Sequence, residues 1–110
     1  MTFLLDKIAN YDNVFIFGCG NVGQYIHKQL KDDNIRAKLQ FCDNTKHGNK
    51  YLDTEILTPE NAYFIYPDAL FIIGSGIHHM PMLTQLREIG VPDENTVAEW
   101  IETKSRMIPI

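Results

Sequence analysis

Two segments of the chain are apolar without interruption, and they predict strands that are buried on both faces. The segments are residues 14–17 and 69–73. Unbroken apolar runs are typical of the inner strands of a parallel sheet, because helices cover both of its faces. Residues 36–42 instead alternate between apolar and polar side chains. A second strand is expected there, with one face that is wet or covered by polar groups.

Apolar residues at helical spacing predict four helices between and around these strands. The first helix opens the chain with Thr2 as its N-cap, and the second follows the first strand. The hydroxyl of Thr58, followed by Pro59, predicts the start of the third helix. The fourth is expected to start near Pro81 and to end at Gly90, since glycine is common just past the end of a helix.

A glycine-rich motif joins the first strand to the second helix. It consists of Gly18, Cys19, Gly20, Asn21, Val22 and Gly23. This is the G-x-G-x-x-G pattern of dinucleotide-binding domains, and it lies between a strand and a helix as that pattern requires. Gly18 permits the tight turn, Gly20 admits a pyrophosphate close to the backbone, and Gly23 lets the helix pack close to the sheet. The motif predicts a phosphate site at the helix N-terminus.

Strands that alternate with helices predict an α/β fold with a parallel sheet and right-handed crossovers. A short third strand is expected at residues 55–57 and a fifth at residues 95–98. We expect one Rossmann-like domain over residues 1–110, with three αβα layers and about five parallel strands in the order 3-2-1-4-5. Residues 98–110 are expected to form a linker or an interface tail.

An acidic residue ends the second strand at the place where a residue that binds the ribose is expected. Asp43 lies twenty residues after Gly23. An acid at this place binds ribose hydroxyls in dinucleotide-binding domains, and its charge would repel a 2′-phosphate, which favours NAD over NADP. Asp43 and Asn44 could equally cap the turn that follows the strand. Both interpretations stay open, and both residues are candidates for cofactor binding.

A second glycine loop follows the strand at residues 69–73. Gly74, Ser75 and His78 are expected to line the same crevice, because ligands bind outside the carboxyl ends of the strands where the strand order reverses. Ser75 and His78 would contact the phosphate or the sugar of a nucleotide. His78 and His79 point apart and lack a third ligand at helical spacing, so no metal site is expected.

Composition excludes several classes of function. With 110 residues, the chain is too short for a cofactor domain plus a substrate domain. A formal net charge of −4 and scattered Lys and Arg argue against nucleic acid as a partner. No segment has the length and apolarity of a membrane span or a signal peptide, so a cytoplasmic protein with reduced Cys19 and Cys42 is expected. Catalytic sequence signatures are absent, and no catalytic residue is assigned.

Four segments of the chain carry a resemblance to a known family: FIFGCGNVG, FCDNTKHGNKYLDTEILTPEN, IGSG and REIGVP. The chain resembles the small Rossmann-like domains attached to bacterial surface-glycan enzymes. These are the N-terminal domains of sugar acyltransferases and nucleotide-sugar dehydratases, and the C-terminal lobes of sugar methyltransferases. The resemblance covers residues 13–97 and implies that NAD or a nucleotide-sugar binds at residues 18–23 and Asp43. It implies none of those enzymes' activities, because their catalytic domains have no counterpart here.

We therefore expect a non-catalytic module that binds NAD or a UDP-sugar-type nucleotide and serves sugar-nucleotide or surface-polysaccharide metabolism. One alternative is the cofactor-binding half of a truncated NAD-dependent oxidoreductase or epimerase. Another is a protein-interaction domain that has lost its ligand. The alternating second strand and the apolar residues after Trp100 favour a homodimer or an attached catalytic domain as partner.

Overall fold

The computed structural model describes residues 3–98, 101–102 and 107–108. Its helices are α1 (Phe3–Ile8), α2 (Asn21–Asp32), α3 (Pro59–Ile65) and α4 (His79–Ile89). Its strands are β1 (Asn13–Phe17), β2 (Lys38–Cys42), β3 (Lys50–Tyr51), β4 (Thr54–Glu55), β5 (Leu70–Ile73), β6 (Thr96–Val97), β7 (Ile101–Glu102) and β8 (Met107–Ile108). A helix lies between β1 and β2, between β4 and β5, and between β5 and β6, which is the order of an α/β fold.

Four parallel strands form the central sheet, in the order β2-β1-β5-β6. β1 lies inside the sheet, where Val14 pairs with Leu39 on one side and with Leu70 on the other. Every residue of β1 after Asn13 is buried, and so is the whole of β5. The two uninterrupted apolar segments thus form the inner strands, as their pattern predicts.

The predicted third strand does not join this sheet in the described part of the chain, so the predicted order 3-2-1-4-5 and the count of five strands are wrong. β4 pairs with β3 as an antiparallel hairpin instead. Leu52 and Asp53 turn that hairpin with left-handed φ angles of 48° and 67°. Leu57 reaches Cys42 of β2 in an isolated parallel bridge. The pairing cannot continue, because Pro59 begins α3 and has no N–H to donate.

Hydrophobic clusters cover both faces of the sheet. Ile16 of β1 packs in the cluster that contains Leu4 of α1 and Ile26 of α2. Phe17 points to the opposite face and packs in the cluster that contains Leu86 of α4 and a buried alanine of α3. Neighbouring residues of a strand point to opposite faces, so α1 and α2 cover one side and α3 and α4 the other.

The predicted starts and ends of the later helices have the expected chemistry. The Thr58 hydroxyl accepts a hydrogen bond of 3.1 Å from a backbone N–H in the first turn of α3. Gly90 follows α4 with a φ of 112°, and its N–H donates to the Leu86 carbonyl over 3.1 Å. α4 begins at His79 and so includes Pro81 in its first turn, where proline removes no helical hydrogen bond.

Two of the sequence predictions fall largely outside the described residues. Thr2, the expected N-cap of α1, is one of them, and Trp100 in the expected tail is another. Within residues 98–110, β7 pairs with β8 as an antiparallel hairpin, and β7 lies beside α1. The interpretation of this segment as a linker or an interface tail stays a prediction.

The imidazole of His27 makes the stability of this fold depend on pH near neutrality. His27, on α2, is only 7% exposed and stacks on the Phe41 ring with centroids 5.2 Å apart. Burial, together with the nearby charge of Lys31, lowers the pKa of His27 from the ordinary value of 6.5. The unfolded chain therefore binds more protons than the folded one as the pH falls through 6.5, so the free energy of unfolding decreases there.

Replacing His27 by phenylalanine is expected to remove this part of the pH dependence. The change in packing alters the free energy of unfolding by the same amount at every pH, so the slope with pH is the informative quantity. Urea denaturation of the parent and of His27→Phe at about pH 7.5 and about pH 5.5 measures that slope. Equal slopes in the two proteins would contradict the lowered pKa.

Candidate functional site

Three glycines from the two predicted glycine loops pack against one another at the carboxyl ends of β1 and β5. A Cβ added to Gly23 would collide with the carbonyl oxygen of Gly18. A Cβ added to Gly74 would lie 2.9 Å from that same oxygen and 2.9 Å from the Gly23 Cα. Gly18 itself has a φ of 108°. These three glycines therefore bring the two loops and the start of α2 closer together than side chains would permit.

Gly20 has none of these structural constraints. It is the N-cap of α2, with a φ of −99° and a ψ of −160°, an extended conformation that any residue adopts. A Cβ built there would meet no atom of the described residues within 4 Å. No side chain caps this helix start, and the first turn of α2 contains no acidic residue. The backbone N–H groups of that turn therefore have no capping side chain as acceptor.

The carboxylate of Asp43 holds the first glycine loop. Its Oδ2 accepts a hydrogen bond of 2.7 Å from the backbone N–H of Cys19. Its Oδ1 accepts from the Thr45 N–H at 2.8 Å, from the Thr45 hydroxyl at 3.0 Å and from the Lys46 N–H at 2.9 Å. Partial burial opposes the charged form, but the N–H donors of Cys19, Lys46 and Thr45 outweigh it and lower the pKa of Asp43.

Lys46 reaches the same loop, although no sequence motif indicated it. Its Nζ donates a hydrogen bond of 2.8 Å to the Cys19 carbonyl, which also accepts from the Gln24 side chain at 3.2 Å. The ammonium group thus lies beside the start of α2, where it adds positive charge to the N-terminal end of the helix dipole. A lysine in a polar loop is common, so the sequence carries no signal for this role.

Asn44 connects the loop after β2 to α4. Its side-chain amide exchanges two hydrogen bonds with the amide of Gln85, over 2.9 Å and 2.8 Å. Gln85 was not among the predicted site residues, because nothing in the sequence relates two amides forty-one positions apart. The pair spans the end of β1, which lies between β2 and β5 in the sheet. It links α4 to the loop that follows β2.

Ser75 and His78 lie in the loop between β5 and α4, as predicted, but they bind each other locally. The Ser75 hydroxyl accepts a hydrogen bond of 3.1 Å from the backbone N–H of His78. The ring Nδ1 of His79 lies 2.9 Å from the Gly76 carbonyl oxygen. His78 is exposed.

The thiols near the site are protonated at neutral pH. Burial and the Asp43 charge raise the pKa of Cys19. Burial raises the pKa of Cys42 well above its ordinary value. Both cysteines are free and buried, and a thiol without thiolate character is a weak nucleophile and metal ligand.

A different surface occupies the amino ends of β1 and β2. A cavity of about 340 Å³ is lined there by residues of α1, by the turn before β1 and by the segment before β2, among them Leu5, Tyr11, Asp12, Asp33 and Arg36. The cavity lies at the amino ends of the strands, and the glycine loops lie at the carboxyl ends. No sequence motif predicted a site at the amino ends. The uncapped start of α2 and the Lys46 ammonium lie at the other end of the sheet, with the loops after β1 and β2.

Comparison with known protein families, curated proteins and solved structures found no match. Within the described ranges, no cluster of three His, Cys, Asp or Glu side chains could hold a metal ion. The same described residues include no helix that is long and apolar enough to cross a membrane. A function can therefore be assigned to the candidate site only from its geometry.

Proposed function

We propose that this chain is a Rossmann-like nucleotide-binding domain whose ligand, NAD or a nucleotide-sugar, rests its phosphates on the loop of residues 18–23. Gly20 is the observation that carries the proposal. Packing or a positive φ accounts for Gly18, Gly23 and Gly74, but neither accounts for Gly20. A residue without a side chain at an open helix start suits the close approach of a pyrophosphate to the backbone.

The charges around this loop support an anionic ligand. The uncapped N–H groups at the start of α2 would donate to phosphate oxygens, and the helix dipole favours negative charge there. The Lys46 ammonium, 2.8 Å from the Cys19 carbonyl, would add a cation at the same place. The ligand would extend past Gly74 towards Ser75 and His78, while Asp43 and Asn44 border the site on the β2 side.

The wider role of the domain follows from the resemblance of its sequence segments. We place it in sugar-nucleotide or surface-polysaccharide metabolism in the cytoplasm, without catalysis of its own. Its partner would be an attached catalytic domain or a second copy of the chain. The resemblance to domains that accompany surface-glycan enzymes supports this role.

Thermal denaturation with added ligands tests the proposal directly. A true ligand at about a hundred times its Kd should add about 2.7 kcal/mol to the free energy of unfolding. We expect NAD or a UDP-sugar to give this stabilisation, with NADP, coenzyme A and S-adenosylmethionine as comparison ligands. Adenosine and uridine serve as controls, because they lack the phosphates that the loop would bind.

The pattern of responses separates the proposal from its alternatives. Stabilisation by NAD or UDP-sugars but not by the nucleosides supports a phosphate site. A response to coenzyme A or S-adenosylmethionine alone would replace the proposed ligand class. If no phosphorylated ligand stabilises the protein, the interaction-domain alternative is favoured instead.

A further inference from the structure

We infer that Asp43 is a positioning residue, which holds the first glycine loop in its binding conformation and does not itself recognise a ribose. This inference rests on the proposed nucleotide site and assigns Asp43 a role within it. It differs from the ribose contact that the sequence pattern predicts. The reason lies in how the hydrogen-bonding capacity of the carboxylate is used.

A carboxylate offers about four acceptor positions on its two oxygens. In this protein Oδ1 accepts from three donors, two N–H groups and one hydroxyl, and Oδ2 accepts from the Cys19 N–H, which leaves one acceptor position free on Oδ2. A contact with both ribose hydroxyls would therefore have to displace at least one of these donors. Displacing the part-buried Cys19 N–H would leave a backbone donor without a partner, which opposes the ribose contact.

The same contacts fix the peptide groups on both sides of Cys19. Asp43 holds its N–H, while Lys46 and Gln24 hold its carbonyl. The orientation of these peptides sets the direction in which the chain enters Gly20 and the first turn of α2. Asp43 therefore acts on a ligand through Cys19, by keeping the loop in one conformation before binding.

This role has a consequence for cofactor selection. An acidic residue that binds the ribose discriminates NAD from NADP, because its negative charge repels the 2′-phosphate of NADP. A positioning residue affects the phosphate contacts that the two cofactors share. Loss of Asp43 should therefore weaken both by the same factor and leave the ratio of their Kd values unchanged.

Titration calorimetry of NAD and NADP with the parent and with Asp43→Asn tests the inference. Asparagine has a single acceptor oxygen, and keeping it on the three donors of Oδ1 turns its NH2 group towards the Cys19 N–H, so that contact is lost. Both Kd values should rise about tenfold, as expected for a lost charge-assisted hydrogen bond. Their ratio should stay within about twofold. Asp68→Asn, which removes an exposed charge elsewhere, is the matched control and should bind like the parent.

Hydrogen exchange of the Cys19 amide supplies an independent readout. The amide should be protected in the parent and should exchange about tenfold faster in Asp43→Asn. Unchanged exchange, or NADP binding that improves relative to NAD, would overturn the inference. If neither cofactor binds the parent, NAD is not the ligand of the proposed site, and the exchange rate alone still decides whether Asp43 holds the loop.

A second variant covers the case in which Asp43→Asn does not fold. Thr45→Val removes the 3.0 Å hydroxyl contact to Oδ1 at an exposed position. Two N–H donors remain on Oδ1 in this variant, so the carboxylate keeps its place and still holds the Cys19 N–H. The positioning role therefore leaves the NAD and NADP affinities of Thr45→Val at their parental values, whereas a change in the ratio of the two Kd values would indicate that the carboxylate contacts the ribose.

Discussion

Replacing Gly23 with alanine is expected to lower the free energy of unfolding by more than about 3 kcal/mol, with loss of the folded state as the extreme. The new Cβ would overlap the Gly18 carbonyl oxygen, and it would lie 3.0 Å from the Gly18 carbonyl carbon and 3.3 Å from the Phe41 ring. Gly18 cannot move away easily, because its N–H donates to the Cys42 carbonyl over 2.8 Å. Urea denaturation followed by circular dichroism measures the loss.

Gly20→Ala is the matched control, since it adds the same methyl group three residues earlier. Its Cβ meets no atom within 4 Å, and alanine is a poorer helix N-cap than glycine by less than about 1 kcal/mol. A small loss for Gly20→Ala beside a large loss for Gly23→Ala would establish the close contact of the two glycine loops. If Gly23→Ala is as stable as the parent, Gly23 and the Gly18 carbonyl oxygen are farther apart than in this structure.

The inner part of the sheet could be predicted from the sequence, because burial on both faces leaves a direct signature in the residues. The unbroken apolar runs at residues 14–17 and 69–73 became β1 and β5. Thr58 before Pro59 and the glycine at position 90 also marked helix ends correctly. Each of these signals is local, so no knowledge of distant contacts was needed.

The edge of the sheet could not be predicted in the same way. Residues 55–57 look like a strand, but a short apolar segment does not reveal its pairing partner. Here the turn at Leu52 and Asp53 uses left-handed conformations without glycine or asparagine, so the usual hairpin signal was missing. The chain therefore forms a local hairpin, and Leu57 is left to make an isolated bridge to the sheet.

The candidate site, like the fold, could be predicted only in part. The motif identified its glycines but could not separate the ones needed for packing from the one that leaves space, since both kinds are simply glycine. The contacts of Lys46 with Cys19 and of Gln85 with Asn44 join positions that are far apart in sequence. Side-chain geometry alone produces them. No residue type or spacing would have indicated them in advance.

Gly20→Val is expected to abolish nucleotide binding while the protein stays folded. Valine accepts the extended backbone at this position, with its φ of −99° and ψ of −160°, and its Cβ lies in open space. Its branched side chain would stand over the first turn of α2, where the phosphates are proposed to rest. We expect the Kd of the best ligand to rise at least about a hundredfold, equal to about 2.7 kcal/mol of binding free energy.

Titration calorimetry with the ligand that most stabilises the parent measures this change. Gly20→Ala should give an intermediate loss, because a single methyl group fills less of the space that the pyrophosphate needs. Thermal denaturation without ligand verifies that both variants remain folded, with a cost of at most about 1 kcal/mol from the altered N-cap. If Gly20→Val binds as tightly as the parent, the phosphates do not approach the backbone at Gly20, and the observation that carries the proposed function is lost.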